Sequence, residues 1–182
     1  MKQLVIGLII LLSAACSLTN KQPARHDFGL YTLPTGTQSL EKSEISIDSP
    51  AWLANECIQF RLLYSEPTRL RCYSLDQWIA PPSELFKQQL QTSMNPTKQR
   101  LQIQLLNFEQ QFDSPKQARV VLAMVVNAYQ PQSNHLIATQ IFKLEQISVS
   151  PDAAGAVLGF TQLTRQATDK IQQWLINLAK NY

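Results

Sequence analysis

The side chains able to carry chemistry are few and scattered. The two histidines, His26 and His135, fall in a polar leader and beside a turn, and neither has a partner at a metal-ligating spacing. No Gly-x-Ser-x-Gly elbow is present to present a nucleophile. The five glycines are isolated, so none builds a phosphate-cradling loop. Asp76, two residues before Trp78, is the one carboxylate in a suggestive setting, and it reads as a turn residue. The residues therefore point to no catalytic set, no metal and no cofactor. The remaining candidates are the three cysteines and the large aromatics.

Cys16 closes the N-terminal pattern. A basic end (Met1-Lys2-Gln3) precedes an apolar run, Leu4 to Leu12, and then Ser13-Ala14-Ala15-Cys16. The run is too short to span a bilayer and suits a secretory signal. The cluster resembles the lipobox of bacterial lipoproteins, with Ser13 where leucine is usual. That resemblance implies cleavage before Cys16 and acylation of its sulfur, and more than one acyl chain gives a firm anchor. Ser17, in place of the aspartate that favours inner-membrane retention, implies the outer membrane, facing the periplasm. The Ser13-x-Ala15 spacing also suits an ordinary signal peptidase. The expected division is signal peptide 1–15, lipidated tether 16–27 and one domain, 28–182.

Cys57 and Cys72 flank a hairpin. Pro67 fits the second position of a turn Glu66-Pro67-Thr68-Arg69. That register sets Cys72 opposite Leu63 and Cys57 opposite Trp78, too far along the ladder for a bridge. A disulfide needs the chain to fold back near Cys57; otherwise both are buried thiols.

The elements that must position these residues alternate between strand and helix patterns. Strands are expected at Phe28–Leu33, Glu44–Asp48, Ile58–Tyr64 and Arg69–Leu75, with Phe60, Leu62, Tyr64, Tyr73 and Leu75 on the core side of the hairpin. A helix runs from Pro82 or Ser83 to Ser93, with Leu85, Phe86 and Leu90 inward. Leu101–Leu105 alternates, and a change of parity at Leu106 and Phe108 predicts a bulge. Ala118–Tyr129 is apolar on both faces and predicts a central strand covered on both sides. His135–Ser148 follows. Ser150 as cap, Pro151 at the first helical position and Asp152 in the first turn open an amphipathic helix of about 28 residues, on which Gly155 and Gly159 could allow a close backbone approach. The fold class is α/β: a mixed, mostly antiparallel sheet packed by two main helices. With 182 residues, 45% hydrophobic, the chain can bury one real core. A net charge of +3 without a basic stripe gives no footprint for nucleic acid. Trp52, Trp78 and Trp174 are the large anchors, for a core or for an interface; Trp52 and Trp78, which flank the hairpin, are the candidate interface pair.

The order of these segments resembles a known family. Pro50-Ala51-Trp52-Leu53, then Ile58-Gln59-Phe60-Arg61, then Asp76-Gln77-Trp78-Ile79-x-Pro81-Pro82-Ser83-Glu84-Leu85 follow the pattern of the PqiC-like ABC-type transport auxiliary lipoproteins, from about Tyr31 to Tyr182. Gln77, Ile79 and the cysteines at 57 and 72 depart from that pattern. The resemblance implies a fold similar to the N-terminal domain of TolB. It implies a non-catalytic outer-membrane lipoprotein that works with a periplasm-spanning MCE-domain protein to move lipids or other hydrophobic molecules. Ring-like homo-oligomers are compatible with that role. The alternative is an envelope-integrity or outer-membrane assembly lipoprotein with a TolB-like binding module.

Overall fold

A computed structural model describes residues 21–29, 44–95, 97–131 and 133–180. Within them lie strands β1 (Ala24–His26), β2 (Ile45–Asp48), β3 (Cys57–Leu62) and β4 (Glu66–Trp78), helix α1 (Pro82–Ser93), strands β5 (Arg100–Ser114), β6 (Gln117–Tyr129) and β7 (Leu136–Ile147), and helix α2 (Ala153–Lys180). All seven strands join one open sheet in the order β1-β4-β3-β5-β6-β7, and β2 pairs with β5 as well. The fold is mixed α/β.

The meander β5-β6-β7 is the frame. Along β6 the even positions, from Ala118 through Val120, Leu122, Met124 and Val126 to Ala128, are buried. Both helices pack on that side, so their apolar stripes and the even face of β6 share one core. Among the described residues no helix covers the odd positions of β6, which stay half-buried. The double cover expected for this strand is therefore corrected to cover on one side. The register of β5 against β6 shifts between Leu105 and Asn107, where the parity change predicts a bulge. The shift leaves Leu106 at the surface and turns Phe108 into the core. On its other edge β5 takes two short parallel partners, β2 along Leu101–Gln104 and β3 along Gln110–Phe112.

The hairpin differs from the expected register. The chain reverses at Leu63–Ser65, with Ser65 N donating to the Leu62 carbonyl, and Pro67 stands inside β4. The parallel pairing of β3 to β5 fixes this register, and Leu63 N adds a bond of 2.9 Å to the Phe112 carbonyl. Proline is tolerated in such a strand where no neighbour needs its N–H. A second shift follows: Gln59 pairs with Cys72, but Cys57 pairs with Gln77. The slack that β4 gathers between Cys72 and Gln77 brings Cys57 and Cys72 to a Cα separation of 5.6 Å, and they form a disulfide. The register argument against a bridge thus fails because it assumed a regular ladder. The early reversal puts Tyr64 in the turn and exposes it, the slack exposes Leu75, and Phe60 and Tyr73 remain in ring contact at 4.6 Å.

The expected tether is also too long. Ala24–His26 pairs in parallel with Asp76–Trp78, and Ile79 N donates to the His26 carbonyl at 2.9 Å. Phe28 enters the core after this strand rather than opening one. The rest of the strand expected at Phe28–Leu33, from Leu30, lies outside the described residues.

Helix α1 begins at Pro82, where a missing N–H costs nothing, and buries Leu85, Phe86 and Leu90. Helix α2 is capped by Asp152, not Ser150: its Oδ1 accepts from Gly155 N at 2.8 Å and from the Ser150 hydroxyl at 2.6 Å. Two glycines let α2 sit where it does. A Cβ on Gly159 would lie 2.8 Å from a Val120 methyl, and one on Gly155 would lie 2.0 Å from the Ser150 carbonyl oxygen. Under α2, Phe108 and Phe160 stack at 3.9 Å, and Phe28 and Trp78 meet them edge-on or tilted. Each such ring contributes about 2–3 kcal/mol by leaving water.

Candidate functional site

The uncovered side of the sheet is built by alternation. Since Val120, Leu122 and Met124 face the helices, Val121, Ala123 and Val125 must face away. Their ladder partners extend the stripe. Ile141 on β7 stands beside Val125 and is 55% exposed, and Leu106 emerges from the β5 bulge. Ile147, beside Arg119, is 80% exposed.

Most charges on this side are paired, while Lys143, opposite Ala123, is exposed and forms no ion pair among the described residues. Arg61 makes two bonds of 3.1 Å to the Glu109 carboxylate, which is almost wholly buried and also accepts from Gln111 Nε2 at 2.7 Å. Arg119 pairs with Asp113 and lies 3.4 Å from Glu145. An apolar strip with Lys143 beside it and a polar rim has the make-up of a protein-docking surface.

A groove of about 580 Å³ runs between the outer edge of β7 and α2. Its floor is Phe142 and Leu144, and Trp174 stands edge-on to Phe142 at 6.2 Å between ring centres. Asp169 and Lys170 line the helix side.

The residues singled out from the sequence separate in space. Cys16 lies outside the described residues. Trp52 is 43% exposed in the turn after β2, and its carbonyl accepts from Asn55 Nδ2 and Gln59 Nε2. Trp78, at the end of β4, is fully buried, so the two do not form a joint surface. Asp76 is a strand residue, and its carboxylate meets His26 Nε2 at 2.9 Å across the β1-β4 pair. His135 lines a smaller pocket of about 250 Å³ with Leu136 and Leu178. Among the described residues, no three His, Cys, Asp or Glu side chains converge to hold a metal.

No family model matches the sequence, and no curated protein does. Solved structures share the fold. One is the crystal structure of protein XCC0632 from Xanthomonas campestris, described under the family model DUF330: 14% identity, TM-score 0.69, over 87% of this chain and 98% of that one. A second crystal structure, of a protein described as uncharacterized, matches at 12% identity and TM-score 0.64, over 84% of this chain and 97% of that one. At these identities the likeness concerns the fold.

Near the start of α2 a polar cluster could exchange hydrogen bonds but not protons at neutral pH. The Tyr73 hydroxyl donates to Gln110 Oε1 at 2.7 Å, and Gln110 Nε2 donates to the Ser148 hydroxyl at 3.0 Å. Burial, then the Asp152 and Asp76 carboxylates, hold the Tyr73 phenol well above its ordinary range, so it stays neutral. Sequence reading missed both the Arg61–Glu109 pair and this cluster. Only Arg61, which stands between Phe60 and Leu62, hints at the first in the sequence.

Proposed function

We propose that the protein is a non-catalytic, lipid-anchored accessory component of an MCE-type transport system, held at the outer membrane and docking a periplasm-spanning MCE-domain protein. The observation that carries this reading is the uncovered sheet face. A fold that dresses one side of its sheet with two helices, and leaves an apolar strip with Lys143 beside it on the other, is equipped to hold a partner. The lipobox-like Ser13-Ala14-Ala15-Cys16 and the order of segments from Pro50 to Leu85 support the placement and the partner class. Anchoring raises the local concentration of the docking surface, so a weak contact suffices.

The test uses a photo-crosslinking residue at Ala123, in the middle of the strip, in the cell. Recovery of an MCE-domain protein supports the reading. Recovery of a Tol or outer-membrane assembly component without an MCE-domain protein replaces it with the envelope-integrity alternative. In parallel, Cys16→Ala should move the protein from the membrane to the soluble periplasmic fraction; continued membrane retention would remove the anchor from the proposal.

A further inference from the structure

β7 ends the sheet, and among the described residues no strand pairs with its outer edge. Its ladder to β6 is unbroken from Ala138 to Ile147, with no proline and no bulge to blunt the edge; its charges are Lys143 and Glu145, one of each sign. Ser148 N donates to Ala118 O, so the even residues of this strand turn their backbone groups toward β6. Ile141, Lys143, Glu145 and Ile147 therefore turn theirs outward. In keeping with that direction, the Gln140 side-chain amide folds onto the Ile141 carbonyl at 3.1 Å.

The side chains of this edge are symmetric about Leu144. Residues 141–147 read Ile-Phe-Lys-Leu-Glu-Gln-Ile. When a second β7 runs antiparallel beside the first, with Leu144 on the two-fold axis, each Lys143 lies opposite the other copy's Glu145. Each Ile141 then lies opposite Ile147. A slip that moves the axis by one residue sets Lys143 against Lys143 or Glu145 against Glu145. An axis two residues away opposes both charges to apolar or uncharged side chains. Opposite charges and apolar pairs directly across a ladder stabilise it, and like charges oppose it. The two isoleucines are among the most exposed large apolar residues described, and pairing would cover both. Glu145 is drawn partly toward Arg119, but it stays exposed and reachable.

We infer that β7 pairs with β7 of a second copy, antiparallel and centred on Leu144, joining the two sheets into one. The contact is isologous and closes on itself, so it yields a dimer and not a filament. It does not rest on the transport reading, since it follows from the edge alone.

The experiment uses the full-length chain carrying Cys16→Ala, with Ile141→Cys and Ile147→Cys added singly and together, treated with a short bismaleimide. Across the inferred interface these positions lie about 5.5 Å apart at Cα. In either single variant the two new sulfurs are separated by six residues, roughly 20 Å. A covalent dimer is expected from the double variant only, with the cross-link mapped between 141 and 147. Cross-linking of the singles to the same extent, or no dimer from the double, overturns the register. Sedimentation provides the independent measurement: the unsubstituted protein should dimerise, and Lys143→Glu, which sets Glu against Glu, should weaken association at least tenfold. A wild-type protein that stays monomeric at all concentrations, or a Lys143→Glu dimer of unchanged affinity, overturns the interface itself.

Discussion

Removing the Cys57–Cys72 bridge should lower stability by about 3 kcal/mol. The bridge closes a loop with a sequence separation of 15, and chain-entropy reasoning assigns a loop of that length about 3 kcal/mol at 25 °C. The effect acts mainly on the unfolded chain, so the native contacts of the hairpin should survive. The perturbation is Cys57→Ala with Cys72→Ala, compared with the oxidised parent, and the parent in reductant serves as a control that should match the variant. The assay is urea unfolding followed by tryptophan fluorescence, to which the buried Trp78 gives a large signal. With a slope of roughly 1–3 kcal/mol per molar urea, the midpoint should fall by about 1–3 M. The slope itself should rise, because the unfolded chain expands once the loop is opened. Equal midpoints for the oxidised parent and the double variant, or two titratable thiols in the native protein, would refute the reasoning.

Other substitutions probe features described above. Gly159→Ala gains about 1 kcal/mol of helix propensity but drives a methyl against Val120, whose branched side chain in a central strand cannot swing aside; a net loss of about 1–2 kcal/mol is expected in thermal unfolding. Arg61→Met leaves Glu109 buried without its cation and should cost about 3 kcal/mol, while Glu109→Gln should cost clearly less; equal losses in urea unfolding would refute the pairing argument. Asp152→Ala should cost about 1 kcal/mol at pH 7 through the lost cap. Because the Ser150 hydroxyl and then the Gly155 N–H lower its folded pKa, the stabilisation is present above the ordinary carboxylate value and fades as pH falls through the folded one. Melting curves of parent and variant should therefore converge in acid.

What the sequence discloses depends on how far each signal reaches along the chain. The long helix, Ala153–Lys180, was legible because its apolar residues repeat over many turns. The bulge at Leu106 was legible because a parity change is local. The strand Ala24–His26 was not, since three polar or small residues have no pattern and are ordered only by the edge they meet. The hairpin register was misread because Pro67 is an equally acceptable turn residue and edge-strand residue. Only the distant pairing of Phe60 with Gln110 decides between them. The same holds for the two tryptophans. Trp52 and Trp78 have similar surroundings in sequence, yet one ends a strand above Phe28 and Phe108 and the other caps a surface turn. The uncovered sheet face was hidden by Val121, Ala123 and Val125, which read as core but have no helix above them among the described residues.

The covalent loop has a mechanical side. When the chain is pulled from its ends, tension reaching Cys57 crosses directly to Cys72 through the sulfurs. Residues 58–71 are thereby bypassed and carry none of it. Phe60 and Arg61, which tie the hairpin tip to Gln110 and Glu109, would keep their grip while the flanking strands stretch.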